Sequence, residues 1–255
     1  MLWVSAIFGA IIGSFLNVVL LKKNTGESVT LGRSRCFSCG KTLSWFELIP
    51  VISFIIQRAR CRKCGSKISW QYPIIEFITA LLAVVVYLKF SNFGFTPYAL
   101  KFTIFYFSVF CALLLVSVYD FKHKIIDKHF LYVFGVFAVV EFVFKNLNLS
   151  TMLASAVIFL FFYLLWRLSD GKWMGRGDSD LALFLALFLG HPLSLIMVLV
   201  SFWLGAIVGI LLLLLKSSRF TIKSEIPFGP FLAAGTFIVW YLKDFLIIIY
   251  EFLYF

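Results

Sequence analysis

Two aspartates stand where apolar runs end or begin. Asp178 closes the stretch Trp173-Met174-Gly175-Arg176-Gly177-Asp178, which lies between two long apolar runs, and Asp120 ends the apolar run 109–119. A carboxylate at the mouth of a membrane helix is expensive and marks a functional site, with its partner to be named. Two aspartates on separate helices can share one proton and hold a water between them, which is the apparatus of hydrolysis by a carboxylate pair. Gly175 and Gly177, one residue apart, let the backbone turn tightly and approach other groups closely. Each aspartate also has a plainer explanation. Asp120 is a helix-end acid among Lys122, Lys124 and Lys128, and Asp178 is placed to cap the next helix.

A second chemistry-bearing pattern lies upstream. Cys36-Phe37-Ser38-Cys39-Gly40 and Cys61-Arg62-Lys63-Cys64-Gly65 are two CxxC pairs separated by 21 residues. That spacing is a four-thiolate zinc knuckle pair: each CxxC wraps one edge of a tetrahedral ion, and the glycine frees the backbone to turn. An iron–sulfur centre and reduced redox thiols use the same residues. The surrounding loop has few aliphatic residues, so a metal would supply folding energy. Cys111 lies inside an apolar run and reads as a small buried hydrophobe. His123, His129 and His191 are too scattered to form a metal site.

These residues must be positioned by membrane helices. Of 255 residues, 62% are hydrophobic and 32 are Phe, and the mean hydropathy is +1.00. Such a composition excludes an ordinary soluble domain and predicts an all-α, polytopic helical bundle. The apolar runs predict about eight spans, at 2–21, 73–90, 98–119, 128–145, 150–168, 179–191, 193–215 and 228–250. The first lacks the basic start and small-residue exit of a cleaved signal and reads as a retained span. The sixth is too short to cross a bilayer core of ~30 Å upright. Gly190-His191-Pro192 ends it, because proline cannot continue the hydrogen-bond ladder. A short helix is tolerated where protein or a water-filled cavity covers its ends, which suits an active-site helix.

Basic residues set the orientation. Segments 22–72, 119–128, 167–178 and 216–224 hold 19 of the 23 Lys and Arg. The other side keeps Lys89, Lys101, Lys145 and Lys243. The four basic segments are therefore expected in the cytoplasm, whose reducing conditions argue against disulfides. The formal charge of +11 follows from this asymmetry and from contact with anionic lipid. No aromatic-interleaved basic surface points to nucleic acid. Three parts result: a first membrane helix (1–21), a cytoplasmic tetracysteine segment (22–72) and a membrane core (73–255). Glu76, near the start of the second span, either lines a ligand site or hydrogen-bonds the nearby loop.

Further motifs carry a resemblance: Gly13-Ser14-Phe15-Leu16-Asn17, Leu43-Ser44-Trp45-Phe46-Glu47, Tyr72-Pro73-Ile74-Ile75-Glu76 and Pro227-Phe228-Gly229-Pro230-Phe231. With the CxxC pairs, Asp120 and Gly175-x-Gly177-Asp178, they resemble bacterial type IV prepilin leader peptidases, in order and over almost the whole chain. The resemblance implies an enzyme of the cytoplasmic (inner) membrane, with its active site on the cytoplasmic side. This is an aspartic endopeptidase that cuts pilin-like precursors after a leader-ending glycine, with Asp120 and Asp178 catalytic. Many members also methylate the new N-terminus with S-adenosylmethionine. Glu47, Glu76, Gly175 and Gly177 are then expected near substrate or methyl donor.

Two positions depart from the family pattern: Asp127-Lys128 stands where Pro-Asp is usual, and Asp180 where a lysine is common. A transporter or a non-catalytic scaffold with intramembrane carboxylates would share the composition, although a transporter predicts internal helix repeats. The orientation is checked by reporter fusions. A reporter within 146–149 is expected to read outside and one within 217–224 inside; the reverse at either site would place the carboxylates on the wrong side.

Overall fold

The computed structural model describes residues 1–23, 28, 33–91, 94, 96–145, 147–215 and 226–254. The basic segment 216–224, residue 146, and residues 24–27 and 29–32 of the tetracysteine segment lie outside the described residues. Ten α-helices are described: α1 Leu2–Lys22, α2 Ile52–Ile56, α3 Gln71–Ser91, α4 Pro97–His123, α5 Lys128–Phe144, α6 Leu149–Leu168, α7 Arg176–Leu189, α8 Leu193–Leu214, α9 Gly229–Tyr241 and α10 Lys243–Tyr254. A 3-10 turn, Trp45–Leu48, precedes α2. Among the described residues the only β pairing is two isolated bridges.

The fold is all-α, as expected, but the count of eight spans is not reached. Among the described residues five helices, α1, α3, α4, α6 and α8, are long and apolar enough to cross a membrane, or six if α9 and α10 form one broken span. The last run expected as one span, 228–250, is instead two helices meeting at 74°. Helix α5 has 17 residues and α7 has 14, short of the ~20 that a span needs. At 1.5 Å per residue, α7 reaches only about 21 Å.

The chain forms two compact units, Met1–Cys111 and Ala112–Phe255, divided within α4. In the first, α1 packs on α3 through small residues, which let backbones approach closely in a membrane. A Cβ on Gly9 would lie 2.5 Å from the Thr79 carbonyl oxygen and 2.7 Å from Ala83 Cβ, and one on Gly13 would lie 2.8 Å from Glu76 Cα. One turn on, the fully buried Asn17 donates to the Tyr72 carbonyl at 3.3 Å and accepts from Gln71 Nε2 at 3.4 Å. Buried polar groups need such partners, so Asn17 fixes the register of the two helices.

In the second unit α7 packs against α5, α6, α8 and α9. It buries Leu181, Ala182, Leu185, Ala186, Phe188 and Leu189, which is why a helix too short to span is still held. Gly135 of α5 makes room for the Phe184 ring, whose Cζ would lie 2.9 Å from an added Cβ.

Gly13→Val tests the first helix pair. Overpacking there is expected to cost about 1–3 kcal/mol, read as a lower Tm of the purified protein. Ile11→Val, at an exposed position two residues away, should leave the Tm unchanged. Equal melting of all three proteins would contradict the close α1–α3 contact.

Candidate active site and metal centre

The second unit holds both aspartates. Asp120 lies in the last turn of α4 and is 4% exposed; Asp178 lies in the first turn of α7 and is 7% exposed. Asp178 does not cap its helix, as its position in the sequence suggests. Gly175 is the N-cap, and Asp178 stands at the third helical position. From there its Oδ2 accepts the Gly175 N–H at 3.0 Å, satisfying one of the donors that a helix start leaves free. Asp120 Oδ2 accepts the Gly229 N–H, at the start of α9, at 3.1 Å. Asp120 is near enough to Asp178 for its charge to act on it. Two carboxylates from different helices thus share one buried neighbourhood, each held by one backbone donor from a glycine.

The glycines set the distances. A Cβ at Gly229 would lie 2.5 Å from Asp120 Oδ2, so only a bare Cα lets this N–H reach the carboxylate. A Cβ at Gly177 would lie 2.9 Å from Ile126 Cβ, so Ile126 occupies the space beside it. Gly229 was visible in the sequence as part of a motif, but nothing there pointed to a contact with a residue 109 positions away. The departure at Asp127 has a local role: it caps α5, accepting from the backbone N–H of His129 at 2.9 Å and of Phe130 at 3.3 Å. Asp180, two residues past Asp178, is half-buried.

The first unit holds the four cysteines. The sulfur atoms of Cys36, Cys39, Cys61 and Cys64 all lie within 4.8 Å of one another. The cluster is built by one knuckle made twice, 25 residues apart. Cys36 N–H bonds the Lys41 carbonyl and Gly40 N–H the Cys36 carbonyl; Cys61 N–H bonds the Ser66 carbonyl and Gly65 N–H the Cys61 carbonyl, all four at 2.9 Å. Arg35 pairs with Thr42, and Arg60 with Lys67. Gly40 and Gly65 have φ of 68° and 69°, the left-handed conformation that favours glycine.

The arrangement fits a metal ion. Cys36 and Cys64 Sγ are 3.9 Å apart, close to the ~3.8 Å separation that four sulfurs ~2.3 Å from a tetrahedral ion require. The backbone N–H groups of Cys39 and Ser38, and the Ser66 side chain, hold the Cys36 thiol down to about 6. Ser66, through its side chain and backbone, also lowers Cys64. Cys39 is pushed up to about 11, against the pull of the Lys41 N–H, by burial and by its thiol neighbours. A site that favours thiolates while crowding them is one that a cation completes.

The remaining acids singled out in the sequence lie in the same unit. Glu47 accepts from Lys41 Nζ at 2.8 Å and from the Ser44 N–H at 2.9 Å. Lys41, and then the Ser44 N–H, hold its carboxyl below the usual carboxylate range. The folded value is the lower one, so this contribution to stability is complete above the ordinary value and is lost as pH falls through the lowered one. Glu76 Oε2 accepts the Val51 N–H at 2.7 Å, the structural hydrogen bond to the loop allowed for it. Val51 has φ 61°, a strained backbone for a β-branched residue. Both acids line a cleft of about 1230 Å³, with Ser14, Cys36, Tyr72 and Phe54.

Metal analysis of purified protein is expected to find one ion per chain. Replacing Cys36 and Cys61 together by Ser should release it and expose the knuckle segment to protease. Metal-free wild-type protein would overturn this.

The sequence is similar to known proteins over most of its length. Residues 7–90 match the family described as Bacterial Peptidase A24 N-terminal domain, and residues 106–210 the Type IV leader peptidase family. The chain is 34% identical over 221 residues to a prepilin leader peptidase/N-methyltransferase of Myxococcus xanthus, covering 82% of this chain and 62% of the relative. A protein of the same description from Bacillus subtilis is 29% identical over 255 residues, 98% of each chain. One from Pseudomonas aeruginosa is 27% identical over 270 residues, covering 91% of this chain and 87% of the relative. No solved structure matches. The chain belongs to the type IV leader peptidase family.

Proposed function

We propose that this chain is a membrane aspartic endopeptidase that removes the leader of pilin-like precursors at the cytoplasmic membrane interface, with Asp120 and Asp178 as its catalytic pair. The observation that carries this reading is the buried pair itself: two carboxylates on separate helices, each with one backbone donor and within electrostatic reach of each other. Carboxylates sharing a site hold one proton between them. The ionised member takes a proton from water, and the hydroxide adds to the carbonyl carbon of the scissile bond. The protonated member donates to the carbonyl oxygen. The tetrahedral diol then collapses: the C–N bond breaks, the amine leaves with the proton taken from water, and one hydroxyl returns its proton to the carboxylate that donated it, which restores the singly protonated pair. A precursor with a basic leader and an apolar helix presents its scissile bond at the cytoplasmic interface, where the basic segments place both aspartates. The same basic faces contact anionic lipid.

The four cysteines hold a structural zinc ion on the cytoplasmic side, where four thiolates suit zinc and no open position remains for catalysis. The methyl donor of the second activity, S-adenosylmethionine, belongs to the cleft bounded by Ser14, Glu47, Tyr72 and Glu76. Two carboxylates and an aromatic ring are chemistry suited to a sulfonium cation. Bound there, it would supply a methyl group to the newly exposed amine. Glu47 and Glu76 would hold it, and Gly175 and Gly177 keep the backbone before Asp178 compact beside the precursor.

Three variants assayed in membranes against one precursor test the pair. Asp120→Asn and Asp178→Asn keep size and hydrogen bonding but exchange no proton, and each is expected to lower cleavage by at least about 10³-fold. Asp180→Asn should retain cleavage, since residue 180 lies about 200° around the helix from residue 178. Cleavage by Asp178→Asn together with its loss in Asp180→Asn would show that the wrong carboxylate has been assigned.

A further inference from the structure

We propose that Lys145 and Glu141 are positioning residues that clasp the far end of α7 and thereby hold Asp178 level with Asp120. The inference rests on the peptidase reading above. Lys145, at the end of α5, donates from Nζ to the Phe188 carbonyl at 2.9 Å and to the Leu189 carbonyl at 3.4 Å. The same ammonium pairs with Glu141 Oε1 at 3.1 Å. It also stands 5.9 Å from the centre of the Phe188 ring, which meets Phe134 edge-on at 6.1 Å.

The clasp answers a specific need. The last four carbonyls of a helix lack intrahelical partners, and α7 stops at Leu189. Gly190 N–H reaches back to the Ala186 carbonyl at 2.9 Å, but the groups after it go elsewhere. His191 N–H goes to Thr151 Oγ1 at 3.2 Å, Ser194 N–H goes to the Gly190 carbonyl at 2.9 Å, and Pro192 has none. A helix of about 21 Å that starts at the interface ends inside a hydrocarbon layer of about 30 Å, where free carbonyls need a protein donor. A cation at a helix C-terminus is also favoured by the helix dipole. Glu141, whose side chain is 7% exposed, offsets the charge and fixes the lysine. The Lys145 contacts resist sliding of α7 along its axis, and the other end of that axis carries Asp178.

Removing Lys145 alone takes from the buried Glu141 its ion pair with the ammonium, which destabilises on its own account. The decisive variant is therefore Glu141→Leu with Lys145→Met, which removes both charges and leaves apolar stems. Cleavage kinetics and backbone hydrogen exchange are measured on it, on Lys145→Arg and on wild type. For the double variant we expect kcat about tenfold lower or more, with KM within about twofold. Exchange should be faster both at 186–190 and, transmitted along the helix, at 175–180. Lys145→Arg, which can still bridge both carbonyls, should keep wild-type kcat. Wild-type kcat in the double variant, unchanged exchange at 175–180, or a loss that arginine does not prevent would each overturn the clasp. Asp178→Asn in the same assay separates the two claims. If wild type fails to cleave, or Asp178→Asn cleaves, the peptidase reading falls, and the exchange at 175–180 still decides whether the clasp holds the helix start.

Discussion

A helix that ends inside hydrocarbon must find protein partners for its terminal backbone groups, because water is not there to take them. On the proposed placement at the membrane interface, helix α7, with 14 residues, is the place where this constraint bears hardest. Its start is closed by the Asp178 carboxylate on the Gly175 N–H. Its end is closed from α5 by Lys145. The side chain assigned to catalysis is therefore also part of what lets its helix begin. A short helix surrounded by four others gains a buried acid at a defined depth, which a full span would carry past the interface or leave to lipid.

The positions of the carboxylates depend on backbone rather than on long side chains. A peptide N–H at a glycine has no rotamer to order, and its dipole is aligned before substrate arrives. Gly229 and the proline after it open α9. Proline in the first turn needs no hydrogen-bond partner for a missing N–H, so the Gly229 N–H is left to Asp120 alone at that turn. The tetracysteine segment uses the same economy. Gly40 and Gly65 turn each knuckle, and peptide N–H groups of Cys39 and Ser38 favour the Cys36 thiolate.

Much of this was legible in the residues. The two CxxCG motifs specify the duplicated knuckle because each carries its own turn residue, and every contact that builds the knuckle is local. The apolar runs specify helices because length and composition act residue by residue. The breaks and depths were less legible. The bend between Tyr241 and Lys243 has no proline or glycine to mark it. Whether α5 and α7 span depends on where their caps fall, and Asp127 and Gly175 set those caps. The plainer alternative for Asp178, an N-cap, fits a residue type common there, but Gly175 takes the cap and the carboxylate stands about one turn inward. Lys145 read as an outer-face lysine by charge counting. Its contacts with Phe188 and Leu189 join residues more than forty positions apart, and no local pattern encodes them.

The two carboxylates are treated alike, and that likeness bears on the proposed reaction. Each accepts one peptide N–H from the start of a helix, α7 for Asp178 and α9 for Asp120, and neither has a lysine or arginine partner among the described residues. A cation beside one of them would fix that one as the ionised member and its neighbour as the acid. In the cycle proposed here the base that takes the proton from water must give it up to the leaving amine, so neither role can be frozen. Single, equivalent N–H donors orient both groups without choosing between them. The proton is then free to sit where the bound precursor needs it, and the pair, rather than either residue, is the unit that titrates.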